Sequence, residues 1–252
     1  MLVQINFAIH LSKNSNRFLI IDCLGNAFDN DFNKYFNVPN FEYSTNYECL
    51  YSDNSVDINL YDQYIKGRAL SVEDHYYLND KLISIKAENV MRSDEKIIFG
   101  SEIGMGIFRD ILWYIKVNKE IVDKISVNKI DNKYIGFHYR NTDMKHILES
   151  FIPKIHSLSE ETNLIYLSTD DYTAFDRLKN LLNNDLTIIQ YTKPYNNNGY
   201  SIHYGNPNKN EVTINGLIDM YHLIRSTYFI PSPKSGFSKK VIEFRKNDLF
   251  FK

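Results

Sequence analysis

The sequence is poor in several features that identify a class of protein at once. It holds two cysteines, Cys23 and Cys49, without a C-x-x-C pair, so a disulfide framework and a cysteine-based metal site are excluded. Lysine and arginine number 29 against 31 aspartates and glutamates, and this balance excludes a polybasic face for nucleic acid. No G-x-G-x-x-G pattern follows a predicted strand, which argues against a nicotinamide-dependent oxidoreductase.

Segments typical of targeting or membrane insertion are also missing. No apolar run approaches the ~20 residues of a membrane span. The first residues, MLVQINFAIHLSKN, show no cationic leader before their apolar positions and no small-residue cleavage site. We therefore expect a cytoplasmic protein without a transmembrane segment, and peripheral association with a membrane stays open.

The second half of the sequence alternates between strand and helix patterns. Apolar runs typical of buried strands predict strands over residues 134–139, 164–168, 186–191 and 228–230. Apolar positions at helical spacing predict helices between these strands and a last helix from about Phe237. Pro153 is expected to bend the first of these helices. Because this alternation is typical of a parallel sheet with right-handed crossovers, the second half is predicted to be Rossmann-like.

The first half follows a similar but less regular pattern. A helix is predicted over residues 3–11, strands are predicted over 18–22, 81–86 and 96–100, and another helix is predicted near 108–115. Residues 121–133 are charged and interrupted by asparagine, and we interpret them as a linker. The predicted fold class is α/β, with two Rossmann-like domains that face each other across a cleft. We predict these domains to span residues 1–125 and 126–252.

Polar residues are concentrated at the carboxyl ends of three predicted strands. The first strand runs into HYRNTD, residues 138–143, and the second runs into STDD, residues 168–171. The third is followed by SGFS, residues 235–238. Because the carboxyl ends of parallel strands share one edge of a sheet, these loops are expected to surround a single crevice. The sequence therefore predicts a ligand site at this edge.

HYRNTD, IYLSTDD, the helical segment GLIDMYHLIRS and SGFS resemble, in order and spacing, the motifs of α1,6-fucosyltransferases, including the bacterial nodulation enzymes. The resemblance covers residues 134–246, with a thinner similarity at residues 16–28. It implies a GT-B enzyme whose first domain faces the acceptor and whose second domain binds the nucleotide sugar. The implied reaction is transfer of fucose, or a related deoxysugar, from GDP-fucose or a similar GDP-sugar to a glycan acceptor, free or lipid-linked. Inversion at the anomeric carbon, no metal and no cofactor besides the donor substrate are also implied.

Arg140 is the residue that we expect to stabilise the leaving diphosphate. A guanidinium stays charged and donates two parallel N–H groups to phosphate oxygens, which an enzyme without a metal needs where negative charge grows. The alternative is an arginine paired with a neighbouring acid at the sheet edge. His138 lies on the same face of the strand and either contacts the nucleotide or orients the arginine loop. Thr142 and Asp143 are expected to fix that loop.

The other motifs suggest further contacts with the donor. Ser235, Gly236, Phe237 and Ser238 begin a helix directly after a strand, where free backbone N–H groups suit a diphosphate. A plain N-cap is the alternative for these residues, and the two roles are compatible. Asp219 is expected to accept hydrogen bonds from N1 and N2 of guanine, unless it belongs to a solvated helix face.

The remaining acidic residues are given supporting and catalytic roles. We interpret Asp170, with Asp171, as a hydrogen-bonding support rather than a metal-binding pair. Glu149 is the candidate general base for the acceptor hydroxyl, and an exposed helix residue is the alternative.

A catalytically silent sugar-nucleotide-binding or scaffold protein of the same fold is the main alternative function. It rests on a departure from the family pattern, because no glycine-rich loop precedes the first helix of this sequence. Turnover of GDP-fucose separates the two functions, since binding without transfer indicates the silent protein.

Overall fold

The structure is a computed structural model of the 252-residue chain. It describes residues 2–16, 18–21, 31–45, 75–78, 81–84, 112–142, 145–183, 185–194, 208–246 and 250–252. The chain divides into two compact units: Met1–Leu24 with Asp31–Lys116, and Gly25–Asn30 with Val117–Lys252. The boundary expected between residues 125 and 126 stays a prediction.

The first unit contains one long helix and several short strands. Its elements are α1 (Leu2–Ser15), β1 (Leu19–Ile20), β2 (Phe36–Asn37), β3 (Tyr43–Ser44), β4 (His75–Leu78) and β5 (Lys81–Ser84). β1 pairs with β3 in parallel, and β4 pairs with β5 in antiparallel. The predicted helix over residues 3–11 is therefore confirmed and extends to Ser15. The strand predicted over residues 96–100 lies outside the described residues.

The helix predicted near residues 108–115 is not formed over 112–115, and residues 108–111 lie outside the described residues. Asn6 of α1 explains the difference, because its buried amide bonds the backbone of this segment. Its Nδ2 donates to the carbonyl of Leu112 at 3.0 Å, and its Oδ1 accepts from the N–H of Tyr114 at 2.7 Å. Backbone groups bonded to a side chain in this way cannot also form a helical ladder.

The second unit is built on a four-stranded parallel sheet. Its elements are β6 (Lys116–Val117, at the division between the units), α2 (Lys119–Ser126), β7 (Ile135–Tyr139), a 3₁₀ helix (Leu148–Phe151), α3 (Ile152–Ser159), β8 (Leu164–Thr169), α4 (Ala174–Leu181), β9 (Thr187–Ile189), α5 (Lys209–Arg225), β10 (Tyr228–Ile230) and α6 (Gly236–Lys246). The strands lie in the order β10-β7-β8-β9 and all pair in parallel. The predicted α/β class with parallel strands is confirmed for this unit.

This strand order matches one half of a doubly wound sheet. The chain runs outward from β7 through β8 to β9 and then returns to the other side of β7 as β10. The reversal between β7 and β10 is the topological switch point, where open α/β sheets bind their ligands beyond the carboxyl ends of the strands.

Alternate residues of the sheet pack on opposite layers. Ile135, Phe137 and Tyr139 of β7 belong to a core shared with the 3₁₀ helix, α3 and α4. The intervening residues, among them Gly136 and His138, face α5 and α6. The residues of β7 that lead to the crevice therefore pack against helices on both faces of the sheet. None of the helices in the described ranges is long and apolar enough to cross a membrane.

Two predictions for this unit were wrong. The sequence predicts a linker over residues 121–133, but α2 occupies 121–126 and buries Ile121 and Ile125 at helical spacing, so only 127–133 are irregular. Pro153 was expected to bend a helix, but it is the second residue of α3 and follows the 3₁₀ helix. Proline is tolerated in the first helical turn, where its missing N–H has no intrahelical partner.

Gly136 permits the close approach of α5 to β7, and we predict that an added methyl group destabilises the protein. A Cβ atom at residue 136 would lie 2.6 Å from Oγ and 2.8 Å from Cβ of Ser226. Gly136→Ala is therefore expected to lower the free energy of unfolding by about 1–3 kcal/mol. Gly216→Ala in α5 is the matched control, because a Cβ there meets nothing within 4 Å. The control is expected to stabilise the helix by about 0.5–1 kcal/mol. Equal urea midpoints for the two variants would contradict this account.

Candidate functional site

The switch point joins the carboxyl end of β7 to the turn before α6 through buried serines. The backbone N–H of Arg140 donates to Oγ of Ser232 at 3.2 Å. The N–H of Ser232 in turn donates to Oγ of Ser238 at 3.0 Å, and that hydroxyl lies 2.7 Å from Nδ1 of His138. The structure thus brings together His138, Arg140 and Ser238, which the sequence assigned to one crevice.

Ser235 is the N-cap of α6. Its buried Oγ accepts the N–H of Ser238, three residues along, at 3.3 Å. The plain N-cap considered for this segment is therefore present. Gly236 and Phe237 are the first two residues of α6, where N–H groups have no partner within the helix, and such groups suit an anion.

His138 is a neutral hydrogen-bonding group. It is 7% exposed, and its ring centroid lies 5.0 Å from that of Phe237. Burial, followed by the nearby charges of Arg140 and His146, lowers the pKa of His138 to about 3. The observed bond to Ser238 fits the orienting role, and a contact with the nucleotide stays a prediction.

Asp170 holds the backbone and side chains of the loop after β7. Its Oδ1 accepts the N–H of Asn141 at 2.7 Å, and its Oδ2 accepts the hydroxyl of Thr142 at 2.6 Å. Nε of Arg140 lies 3.9 Å from the same Oδ2. The alternative considered for Arg140, a pair with a neighbouring acid at the sheet edge, is therefore observed. Asp143, the other residue expected to fix this loop, lies outside the described residues.

Both carboxylate oxygens of Asp171 accept hydrogen bonds. Oδ1 accepts the N–H and the hydroxyl of Thr173 at 2.9 and 2.7 Å, and Oδ2 accepts Nδ2 of Asn141 at 2.8 Å. Burial acts to raise the pKa of Asp171, but the bonds from Thr173 and Asn141 outweigh it and the pKa is lowered. In the part of the chain that the structure describes, no three His, Cys, Asp or Glu side chains form a metal-binding group.

Asp219 is buried beneath β8 and is 9% exposed. Its Oδ1 accepts the hydroxyls of Tyr166 and Thr192 at 2.7 and 2.8 Å, and its Oδ2 accepts that of Ser168 at 2.9 Å. A carboxylate offers about four acceptor positions, so three are in use. A two-point contact with guanine therefore requires one hydroxyl to move away, and this contact stays a prediction. Burial raises the pKa of Asp219 to about 6, against the lowering effect of the three hydrogen bonds.

Glu149 lies at the start of the 3₁₀ helix with its side chain 54% exposed. Its Oε1 is 3.7 Å from Nη2 of Arg177, whose Nη1 is 3.6 Å from Oδ2 of Asp171. The exposed position anticipated as an alternative is thus observed, and the role of general base stays a prediction.

Sequence reasoning missed Ser232, Asn141 and Arg177 as members of this site. Asn141 stood inside the HYRNTD motif, and its amide can donate and accept at once, which was a usable signal. Ser232 stands between two prolines after β10, a position that favours a turn. Nothing local marks Arg177, which reaches the site from α4.

Comparison with known proteins gives a fold relationship. No protein-family profile matches the sequence. No curated protein sequence matches it either. Among solved structures, the chain is similar to the crystal structure of fucosyltransferase NodZ from Bradyrhizobium, with a TM-score of 0.52 and 17% sequence identity. The match covers 96% of this chain and 87% of that one. The fold is therefore fucosyltransferase-like.

Proposed function

We propose that this protein is a glycosyltransferase that moves fucose, or a related deoxysugar, from a GDP-sugar to a glycan acceptor. The observation that carries the proposal is the hydrogen-bonded junction of β7 and α6 at the switch point of the sheet. The junction holds Arg140 and His138 beside a helix start, at the edge where such sheets bind ligands. The fold shared with fucosyltransferase NodZ supports the choice of reaction class.

The proposed role of the junction is to stabilise the leaving diphosphate. Negative charge grows on the phosphate oxygens as the glycosidic bond breaks, and preorganised donors lower the free energy of that transition state. Arg140 supplies a permanent positive charge, and Gly236 and Phe237 supply backbone N–H groups at the positive end of the α6 dipole. His138, which is neutral at physiological pH, adds a hydrogen-bonding nitrogen without a competing charge.

We further propose an inverting reaction that needs no metal. In support, Asp170 accepts hydrogen bonds from the loop after β7, and Asp171 accepts them from that loop and from Thr173 in its own loop, which gives these acids a task other than ligating a cation. Glu149 is the proposed base that takes the proton of the acceptor hydroxyl, and its exposure gives a glycan access to it. A cytoplasmic location and a free or lipid-linked acceptor belong to the same proposal.

We propose that Oδ2 of Asp219 accepts a hydrogen bond from the guanine base. This oxygen accepts one hydroxyl in the structure, whereas Oδ1 accepts two. A second contact requires Thr192 or Tyr166 to release Oδ1. Thr192 follows β9 and is the more easily displaced, because the Tyr166 ring also stacks on His222 at 4.6 Å.

Ligand-dependent thermal unfolding and turnover test this function. With GDP, UDP and ADP compared at equal concentration, we expect GDP to give the largest stabilisation, about 2.7 kcal/mol at 100 times its Kd.

GDP release from GDP-fucose is then followed with a panel of glycans, with and without EDTA, and is expected to continue in EDTA. Binding of GDP without transfer would favour the silent alternative. Equal shifts with all three nucleotides would contradict the base assignment, and loss of transfer in EDTA that is restored by Mg²⁺ or Mn²⁺ would contradict metal independence.

A further inference from the structure

We propose that Asn141 is a positioning residue that fixes the direction in which Arg140 leaves the backbone. The inference rests on the proposed contact between Arg140 and the diphosphate of the donor. It assigns to Asn141 a role in ligand affinity in addition to any role in folding.

All four polar groups of Asn141 are engaged. Its N–H donates to Oδ1 of Asp170 at 2.7 Å, and its Nδ2 donates to Oδ2 of Asp171 at 2.8 Å. Its Oδ1 accepts the N–H of His146 at 3.2 Å, and its carbonyl accepts from Nζ of Lys145 at 3.0 Å. Asn141 therefore makes hydrogen bonds within the loop after β7 and also to the loop after β8.

The peptide groups on both sides of the Arg140 Cα are held by this arrangement. The N–H of Arg140 is bonded to Ser232, and the N–H of the following residue, Asn141, is bonded to Asp170. Because φ and ψ of Arg140 set the relative orientation of these two groups, anchoring both fixes the Cα–Cβ direction of the arginine. Beyond this N–H, the loop is held by the hydroxyl of Thr142 on Asp170 and by the side-chain amide of Asn141, which bonds Asp171 and His146.

The loop closes on β7 through the same side chain. Asn141 holds the N–H of His146, while the carbonyl of His146 accepts the hydroxyl of Tyr139 at 2.9 Å. Tyr139 and Asn141 are the two neighbours of Arg140 in the sequence. Tyr139, Arg140, Asn141 and His146 thus form a small closed ring of covalent and hydrogen bonds. The side-chain amide of Asn141 accepts one of these hydrogen bonds.

The charges around Asn141 make an aspartate at this position a sensitive test. A carboxylate there cannot donate to Asp171 and places a third negative charge beside two acids. Among the described residues, Arg140, Lys145, His146, Asp170 and Asp171 are the charged and titratable groups next to Asn141 or bonded to it. Arg177 of α4 contacts Asp171, and Glu149 of the 3₁₀ helix contacts Arg177. A protonated carboxyl regains an O–H donor, so acid pH should restore the missing bond.

The experiment measures GDP affinity by isothermal titration calorimetry at pH 7.5 and pH 5 for the native protein, Asn141→Asp and Asn141→Ala. Asn180→Asp, an exposed substitution on α4 with the same charge change, is the matched control. At pH 7.5 we expect Asn141→Asp to weaken GDP binding by about 10- to 100-fold relative to the native protein, since loss of a well-placed hydrogen bond to a charged group lowers affinity by about that factor. At pH 5 the gap to the native protein is expected to shrink at least severalfold. Asn141→Ala should be weak at both pH values, and the control should match the native protein.

The outcomes separate this inference from the proposed function. If the native protein does not bind GDP, the proposed function fails and the inference fails with it. If the native protein binds GDP and both folded variants bind it as tightly, or if Asn141→Asp shows the same loss at both pH values, the positioning role is overturned while the function stands. Thermal unfolding of each variant is recorded in parallel. Should Asn141→Asp not fold at pH 7.5, the affinity of Asn141→Ala decides: a loss supports the inference and native affinity overturns it.

Discussion

Replacement of Arg140 by lysine is expected to lower kcat by about 10²-fold or more while the protein stays folded. Lysine keeps the positive charge but loses the planar pair of N–H groups that can bind two phosphate oxygens together. Removal of one preorganised donor to a developing negative charge has an effect of this size in other enzymes. Because the interaction strengthens as the diphosphate gains charge, kcat should fall at least as much as KM rises.

The contacts of Arg140 explain why the fold should survive this change. The backbone bond to Ser232 does not depend on the side chain. The ion pair with Asp170 is long, at 3.9 Å, and lysine keeps the positive charge that faces this carboxylate. Arg140→Ala removes the charge as well and is expected to lower kcat further than Arg140→Lys.

Arg177→Lys is the comparison that separates the geometry of the guanidinium from charge alone. Arg177 makes single contacts of 3.6 and 3.7 Å with Asp171 and Glu149, which an ammonium can reproduce. We therefore expect a much smaller loss in kcat for Arg177→Lys than for Arg140→Lys. Steady-state kinetics with GDP-fucose and an accepted glycan decide the matter. Near-native kcat for folded Arg140→Lys would show that Arg140 is structural.

The sheet of the second unit was predictable because its strands and helices carry strong local patterns. β7 is buried on both faces and reads as one apolar run, and β10 was predicted with its observed bounds. The helix before Asn183 ends as expected, since Asn183 has a positive φ of 51°, which asparagine tolerates better than most residues. Parallel pairing then follows from the alternation of strand and helix.

The errors fall where local pattern and tertiary contact disagree. α2 has only two turns and two buried residues, Ile121 and Ile125, among charged neighbours, so its sequence looks like a linker. Residues 112–115 carry apolar residues at helical spacing, but their backbone is bonded to Asn6, about a hundred positions away. A contact of that sequence separation leaves no local signal.

The site shows the same division between local motif and distant partner. The junction of His138 with Ser238 was predictable because strand ends of a parallel sheet converge. The surroundings of Asp219 were not, because Tyr166, Ser168 and Thr192 come from β8 and from the segment after β9. From the sequence, Asp219 was an acid on an apolar helix, and its three hydroxyl partners emerge only in the fold.

Asp219→Ala is therefore expected to lower the free energy of unfolding by about 3–5 kcal/mol. The substitution leaves three hydroxyls without their acceptor, of which those of Tyr166 and Ser168 are buried in the sheet. Each unsatisfied buried polar group costs about 1–3 kcal/mol. Asp219→Asn should cost far less, because Oδ1 can still accept two hydroxyls and Nδ2 can donate to the oxygen of Ser168.

The pH dependence of stability gives a second, independent signature of the same carboxyl group. The pKa of Asp219 is about 6 in the folded protein, above the ordinary value of about 3.9 that applies to the unfolded chain. The folded state thus binds the proton more tightly, so the contribution of Asp219 is fully present below about pH 4 and is lost as the pH rises through 6. The free energy involved is on the order of 2–3 kcal/mol.

Urea unfolding of the native protein, Asp219→Asn and Asp219→Ala at pH 8 and pH 5 tests both expectations together. The buried histidines His138 and His222, whose pKa values are lowered, weaken all three proteins as the pH falls, and their effect cancels in the comparison. Asp185→Asn, an exposed substitution, is the control and should stay within about 0.5 kcal/mol of the native protein. From pH 8 to pH 5, the native protein should gain stability relative to Asp219→Asn, because only the native residue takes up a proton in the folded state. A constant difference between these two proteins, or an Asp219→Ala variant as stable as Asp219→Asn, would show that the hydroxyl cluster does not bind a buried carboxylate as the geometry indicates.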